Sequence, residues 1–201
     1  MKKEKEIVPV EERILQAALD VIEEKTISET RMRSIAEKAD VCQSNLHYYY
    51  ASKKDLLLAA QKKVALRCIE IREKAKAYSE DTLESQLDVF LKQKLIFIKQ
   101  EQKYDYAEID FWIQSRLDKD FREGFKGSFY GWRKELQDLI GVYAPHFKKD
   151  KQVLLASVII SLLEGATIQY LIDSEAFSVD EYFAYCKKLI IREISGDSSQ
   201  L

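Results

Sequence analysis

Glycine and proline are scarce in this chain. Six glycines and two prolines in 201 residues are about 3 % and 1 %, against roughly 7 % and 5 % in ordinary globular chains. Sandwiches and barrels of short strands need frequent turns, so the scarcity argues for long helices. The first glycine is Gly124, so the first 123 residues cannot hold a glycine-rich phosphate loop. Gly124, Gly127 and Gly131 do not fit G-x-G-x-x-G either, which excludes the common nucleotide folds. Cysteine is equally uninformative as a scaffold. Cys42, Cys68 and Cys186 are odd in number and far apart, giving neither a disulfide framework nor a C-x-x-C metal site, as suits a reducing cytosol. The two histidines, His47 and His146, have Ser44 and Tyr143 three residues before them. The E-x-x-H pairs of di-iron bundles are therefore absent, as are H-E-x-x-H and the G-x-S-x-G elbow. No metal, cofactor or catalytic set is expected.

What is present is a soluble, globular composition, 46 % apolar and 33 % charged, with a formal net charge of −2. No global charge advertises a nucleic-acid partner, although a local patch remains open. The charged start, Met1 to Glu6, has no apolar run behind it, so no leader is expected and the location implied is cytoplasmic. The most apolar stretch, Val153 to Leu163, is short and broken by serine, and no membrane span is expected from it.

Apolar residues recur at three and four along nearly the whole chain, the helical period. A first helix is expected at about 10–24, with Ile14, Leu15, Ala18, Leu19 and Ile22 inward. Residues 25–29 break the pattern, and Thr30 is placed to cap a short second helix carrying Ile35, Ala36 and Ala39. Asp40 sits in a tight turn, and residues 42–49 make a third helix. Ser52 is placed to cap a long fourth. Further helices are expected at about 81–101, 104–117, 119–142, 150–173 and 178–194. The expected fold is all-α, in about nine helices, with domains at 8–52 and 53–195.

The strongest local signal is helix, turn, helix over residues 30–49. Ile35, Ala39, Val41 and Leu46 supply its inner core, which leaves Gln43, Ser44, Asn45, His47 and Tyr48 mostly outside. A merely solvated face more often carries Lys and Glu. Asn and Gln pair bidentately with adenine in the major groove, and Ser with several bases. Between Thr30 and Lys54 the basic residues Arg31, Arg33, Lys38, Lys53 and Lys54 outnumber Glu37 and Asp40, while residues 1–29 offset this with acid. The basic patch is local, as a phosphate-contacting edge needs.

These residues resemble the DNA-binding domain of the tetracycline-repressor-like (TetR/AcrR) transcriptional regulators. The resemblance is carried by Arg13 to Leu19, Met32 to Ala39, Val41 to Tyr50, Lys53 and Leu56-Leu57. It implies a helix–turn–helix head and a helical effector-binding and dimerisation domain. By that resemblance, Thr30, Arg31 and the start of the second helix hold a phosphate. Gln43, Ser44 and Asn45 read bases, and His47, Tyr48, Tyr49 and Lys53 hold the DNA backbone, while Tyr50 packs inward. The family usually has glycine where this chain has Thr26 and Asp40, often serine at Cys42, and tyrosine at His47.

From Val153 to Ile172 fourteen of twenty residues are apolar, too many for a surface helix with a single stripe. Either this helix is the centre of a monomer core or it faces a second subunit; the resemblance favours a homodimer, with Ser161, Gly165, Ile168, Phe183 and Ile190 at the interface. Aromatics concentrate between residues 90 and 132. They read as ordinary core or as the wall of an effector pocket, with Phe90, Phe97, Asp110, Trp112, Phe129, Trp132, Glu164 and Gln169 as candidates. Carboxylates beside aromatics suit a cationic aromatic effector, and an uncharged lipophile fits as well. The partners implied are a double-stranded DNA operator, a second copy of the chain and a small-molecule effector. Function is read as a ligand-responsive regulator, a repressor released from a palindromic operator. A helical enzyme using the aromatic and acidic cavity, and a protein-interaction module, are the alternatives.

Overall fold

The computed structural model describes residues 8–196; the charged start, Met1 to Glu6, lies outside them. Among the described residues there are nine helices and no strand: α1 (Val10–Glu29), α2 (Met32–Lys38), α3 (Gln43–Tyr49), α4 (Lys53–Lys76), α5 (Leu83–Gln100), α6 (Gln102–Ser115), α7 (Lys119–Tyr143), α8 (Lys149–Ile172) and α9 (Val179–Ser195). The all-α expectation holds, and the helix ends lie within a few residues of those read from periodicity. Ser52 caps α4 as expected. Its Oγ accepts the Asp55 N–H at 3.2 Å and donates to the Asp55 carboxylate at 2.7 Å, a reciprocal cap.

The first helix is the exception. α1 runs on to Glu29 because a last turn, 27–29, continues beyond a break at Thr26, where φ is 71° and ψ 162°. That region is essentially glycine territory, and a β-branched residue is strained there by ~1–3 kcal/mol. The other left-handed non-glycine residue among those described is Asp40, at φ 53°. Both stand where glycine was expected by resemblance. Thr26→Gly is expected to stabilise the protein by ~1–2 kcal/mol, after loss of an exposed 2.8 Å hydroxyl contact to Ser28. Asp40→Gly is expected to add ~0.5–1 kcal/mol. Thermal unfolding checks both; a melting temperature that falls in Thr26→Gly contradicts the strain.

The chain divides into two compact units. The first combines the described residues up to Arg67 with Lys103–Phe125; the second combines Cys68–Gln102 with the residues from Lys126 onward. This differs from a cut at 52/53. α4 and α7 each contribute to both units, and α6, far away in sequence, folds with the N-terminal helices. In the first unit, α1 packs on α2 and α2 on α3, around Ile14, Leu19, Ile22, Ile35, Ala36 and Leu46, all 2 % exposed or less. In the second, α5 packs on α8 and α9, and α8 on α9. Its core joins Leu87, Phe90 and Ile98 to Leu136, Ile140, Ile159, Leu163, Phe183 and Ile190. By length and composition α8 could cross a membrane, but its Leu155, Ala156, Ile159, Ile160, Leu163 and Ala166 are buried in this core.

Candidate nucleic-acid interface

The turn between α2 and α3 is built from backbone. The Val41 N–H donates to the Ala36 carbonyl at 3.0 Å and the Asp40 N–H to that of Glu37 at 3.2 Å. This is the double bond pattern of a Schellman ending, with Asp40 in its left-handed position. It turns the chain sharply enough to start α3 three residues later. Leu46 is fully buried and Tyr50 nearly so, which sets the outward face of α3. Gln43, Ser44, His47, Tyr48 and Tyr49 are exposed there and Asn45 is half-buried. The Tyr50 hydroxyl donates to Glu11 at 3.3 Å; burial first, then Glu11, pushes its pKa up to about 12. Tyr50 is thus a packing residue, as expected.

The N-terminus of α3 has no side-chain cap. The Cys42 thiol lies 3.2 Å from the Ser44 hydroxyl. Its pKa is lowered by that hydroxyl and by the Asn45 N–H. Sulfur is a weak acceptor, so Cys42→Ser is expected to add a true cap and ~0.5–1 kcal/mol, read in urea unfolding. A destabilised variant would show that the thiol packs where a hydroxyl cannot.

Of the expected phosphate-binding residues, Thr30 needs correction. Arg31, not Thr30, is the N-cap of α2. Thr30 is 1 % exposed, and its hydroxyl donates to the Thr26 carbonyl at 2.7 Å, so its side chain closes the turn after α1 and faces no solvent. Four of the five cations in this segment touch their own chain. Arg33 pairs with Glu37 at 2.8 Å, Lys38 pairs with Glu24, and Lys54 lies 2.7 and 2.6 Å from Asp118 and Asp120. These pairs are exposed and screened by solvent, so a phosphate can replace the carboxylate. Lys53 is different. Half-buried, it donates to the Ile27 carbonyl at 2.7 Å, and desolvation lowers its pKa. Arg31 is exposed, and its side chain has no ion pair or hydrogen bond among the described residues.

The residues expected to hold an effector do not gather into one set. Asp110 accepts the Ile27 N–H at 2.7 Å, inside the first unit. Trp112, also there, lies 6.2 Å from the Phe125 ring. In the second unit, Phe90 is core and Phe97 is fully buried, while Gln169 is exposed. Glu164 accepts from Lys94 at 3.0 Å. Phe129 and Trp132 are partly buried against the core. Arg72, which sequence reading passed over, lies 5.7 Å from the Phe90 ring and 5.9 Å from that of Trp132. It bridges Glu135 at 3.0 and 3.3 Å and Gln93 at 3.3 Å. The aromatic faces suited to a ligand cation already hold one of the chain's own. Among the described residues no group of three or more His, Cys, Asp and Glu is arranged to hold a metal ion.

The dimer residues also need correction. Phe183 and Ile190 are 2 % and 4 % exposed in the chain's own core, because α9 turns that face toward α5 and α8. The outward face of α8 carries Leu154, Val158, Ser161, Gly165, Ile168 and Ile172, spaced at four, three, four, three and four. Leu154 is 65 % and Ile172 79 % exposed. A methyl at Gly165 would meet nothing of its own chain within 4 Å. That spacing was legible in the sequence; the overall apolarity of the helix concealed which side was outward.

No curated protein matches the sequence. Solved structures share the fold. A transcriptional regulator from Saccharomonospora viridis in complex with choline is 21 % identical, with a TM-score of 0.78 over 90 % of this chain and 95 % of that one. A TetR transcriptional regulator from Legionella pneumophila is 18 % identical, with a TM-score of 0.76 over 94 % and 99 %. The fatty acid degradation regulator FadR from Bacillus halodurans is 17 % identical, with a TM-score of 0.72 over 92 % and 96 %. Two family models match in sequence. Residues 14–60 match the tetR family of bacterial regulatory proteins, and residues 106–195 the C-terminal part of BetI-type transcriptional repressors. Together the two models take in more than half of the chain. With a helix–turn–helix that carries an exposed polar face on its second helix, the chain belongs to the TetR family of DNA-binding transcriptional regulators.

Proposed function

We propose that this chain works as a homodimeric repressor that holds a palindromic operator through α3 and releases it when a small molecule binds the second unit. The observation that carries the reading is the outward face of α3. Gln43 and Ser44 are exposed at its first turn, the part of a recognition helix that meets base edges. His47, Tyr48, Tyr49 and Arg31 flank them as backbone contacts, and Asn45 is a half-buried third reader. Dimerisation through the stripe Leu154, Val158, Ser161, Gly165, Ile168 and Ile172 would remove large apolar side chains from water. A two-fold dimer matches a two-fold operator.

The small molecule is proposed to bind among Phe129, Trp132 and Phe90. Trp132 Nε1 is buried with no hydrogen-bond partner among the described residues, which supports a ligand with a polar acceptor as well as apolar surface. One structural neighbour holds choline; a cation like it would have to move the Arg72 guanidinium off the Phe90 and Trp132 rings. The test is an operator duplex recovered by selection, titrated with the protein at fixed salt with and without choline, and with and without a long-chain fatty acid. At least a tenfold loss of operator affinity in one of these is expected. Tighter operator binding in the presence of a bound probe would overturn release in favour of co-repression.

A further inference from the structure

We infer that Asp110 is a positioning residue for DNA binding, one that fixes the turn joining α1 to the helix–turn–helix from the neighbouring helix α6. The inference rests on the DNA-reading role proposed above. α6 lies along α1 through contacts at three levels. The Gln16 side-chain amide donates to the Tyr104 hydroxyl at 3.3 Å, Lys103 pairs with Asp20 at 2.7 Å, and Asp110 accepts the Ile27 N–H at 2.7 Å. The last of these contacts is to backbone, and it falls beside the most strained residue among those described, Thr26 at φ 71° and ψ 162°.

Ile27 is held on both sides. Its N–H goes to Asp110 and its carbonyl accepts from Lys53, each at 2.7 Å. Its side chain is 4 % exposed. A charged acceptor makes the stronger kind of hydrogen bond. The carbonyl of Thr26 is in turn fixed from the other direction by the Thr30 N–H at 3.2 Å and the Thr30 hydroxyl at 2.7 Å. A threonine does not hold this backbone conformation unaided; strained positions persist where the surroundings over-determine them. Met32 opens α2 two residues after Thr30, and α2 packs on α3. The direction in which α3 presents Gln43 and Ser44 therefore depends on a turn that Asp110 and Lys53 clamp from outside the helix–turn–helix. A glycine at position 26 would adopt the conformation unaided, and Asp110 would then be dispensable to it.

The experiment compares Asp110→Ala, Thr26→Gly and the double variant in the full chain. The affinity of each is measured for the duplex that the unmodified protein selects from a random pool. In parallel, hydrogen exchange is followed over residues 26–34. Asp110→Ala is expected to lose about tenfold in affinity and to exchange faster in this segment, with the rest of the first unit still protected. Thr26→Gly alone is expected to bind as the unmodified protein does. The double variant is expected to recover to within about threefold of Thr26→Gly. Equal losses in both backgrounds, or no change in affinity and exchange in Asp110→Ala, would overturn the inference, since a merely structural carboxylate gives the first and an idle one the second. If Asp110→Ala does not fold, Asp110→Asn replaces it; its weaker acceptor should give a smaller loss that Thr26→Gly still erases, and an additive loss overturns the inference. If the unmodified protein selects no duplex, the DNA-reading role fails. The exchange comparison then decides the Asp110 clamp by itself.

Discussion

Lys94→Ala is expected to destabilise the protein by ~3–5 kcal/mol, a large part of the ~5–15 kcal/mol that holds an ordinary domain together. Lys94 is 1 % exposed and the Glu164 side chain 10 %, with Nζ 3.0 Å from Oε2. Removing the lysine takes this cation away from a mostly buried carboxylate. The melting temperature should fall by about 10 °C or more. Lys94→Met with Glu164→Leu should recover most of the loss, because a buried pair returns little more than its own desolvation and a well-packed apolar pair does as well. The contrast between single and double variants is the informative measurement. A loss below about 1 kcal/mol in Lys94→Ala would mean that the carboxylate is hydrated, and would return Glu164 to the residues available to a ligand.

Gln43→Ala is expected to lower affinity for the selected duplex by ~1–3 kcal/mol, about 5- to 150-fold, while leaving random duplex nearly untouched. Gln43 is exposed on the first turn of α3, so truncation removes a base contact without disturbing the core. Arg31→Ala should do the opposite. As an exposed cation without an ion pair among the described residues, it should weaken both duplexes alike and reduce the salt dependence by about one phosphate contact. Competition titrations at several salt concentrations separate the two. Equal losses on both duplexes in Gln43→Ala would remove it from the base-reading set.

The helices were legible because their apolar spacing is regular, and the turn at Asp40 because short helices flank it. The strain at Thr26 was legible as a departure from a glycine expected by resemblance; its size needed the backbone angles. The Lys94–Glu164 pair was not legible, since a charge on a helix reads as a solvated face until burial is known. That Phe183 and Ile190 lie in the core and not at an interface was not legible, because residue type does not say which side of an apolar helix faces its own chain. The partner of Asp110 could not be read, because it is a backbone N–H 83 residues earlier. A backbone donor leaves no trace in residue type. The membership of α6 in the first unit was not legible either, because it folds back onto α1 through three side chains, Lys103, Tyr104 and Asp110, whose types are common on any helix.

Selection from a random duplex pool by the purified protein at fixed salt tests the central claim most directly. The expected result is an enriched palindrome whose half-sites lie about one helical turn apart, ~34–36 Å, or a multiple of it, and whose enrichment falls with salt. A pool that stays random at low salt and high protein concentration would contradict the reading of α3 as a DNA-reading helix.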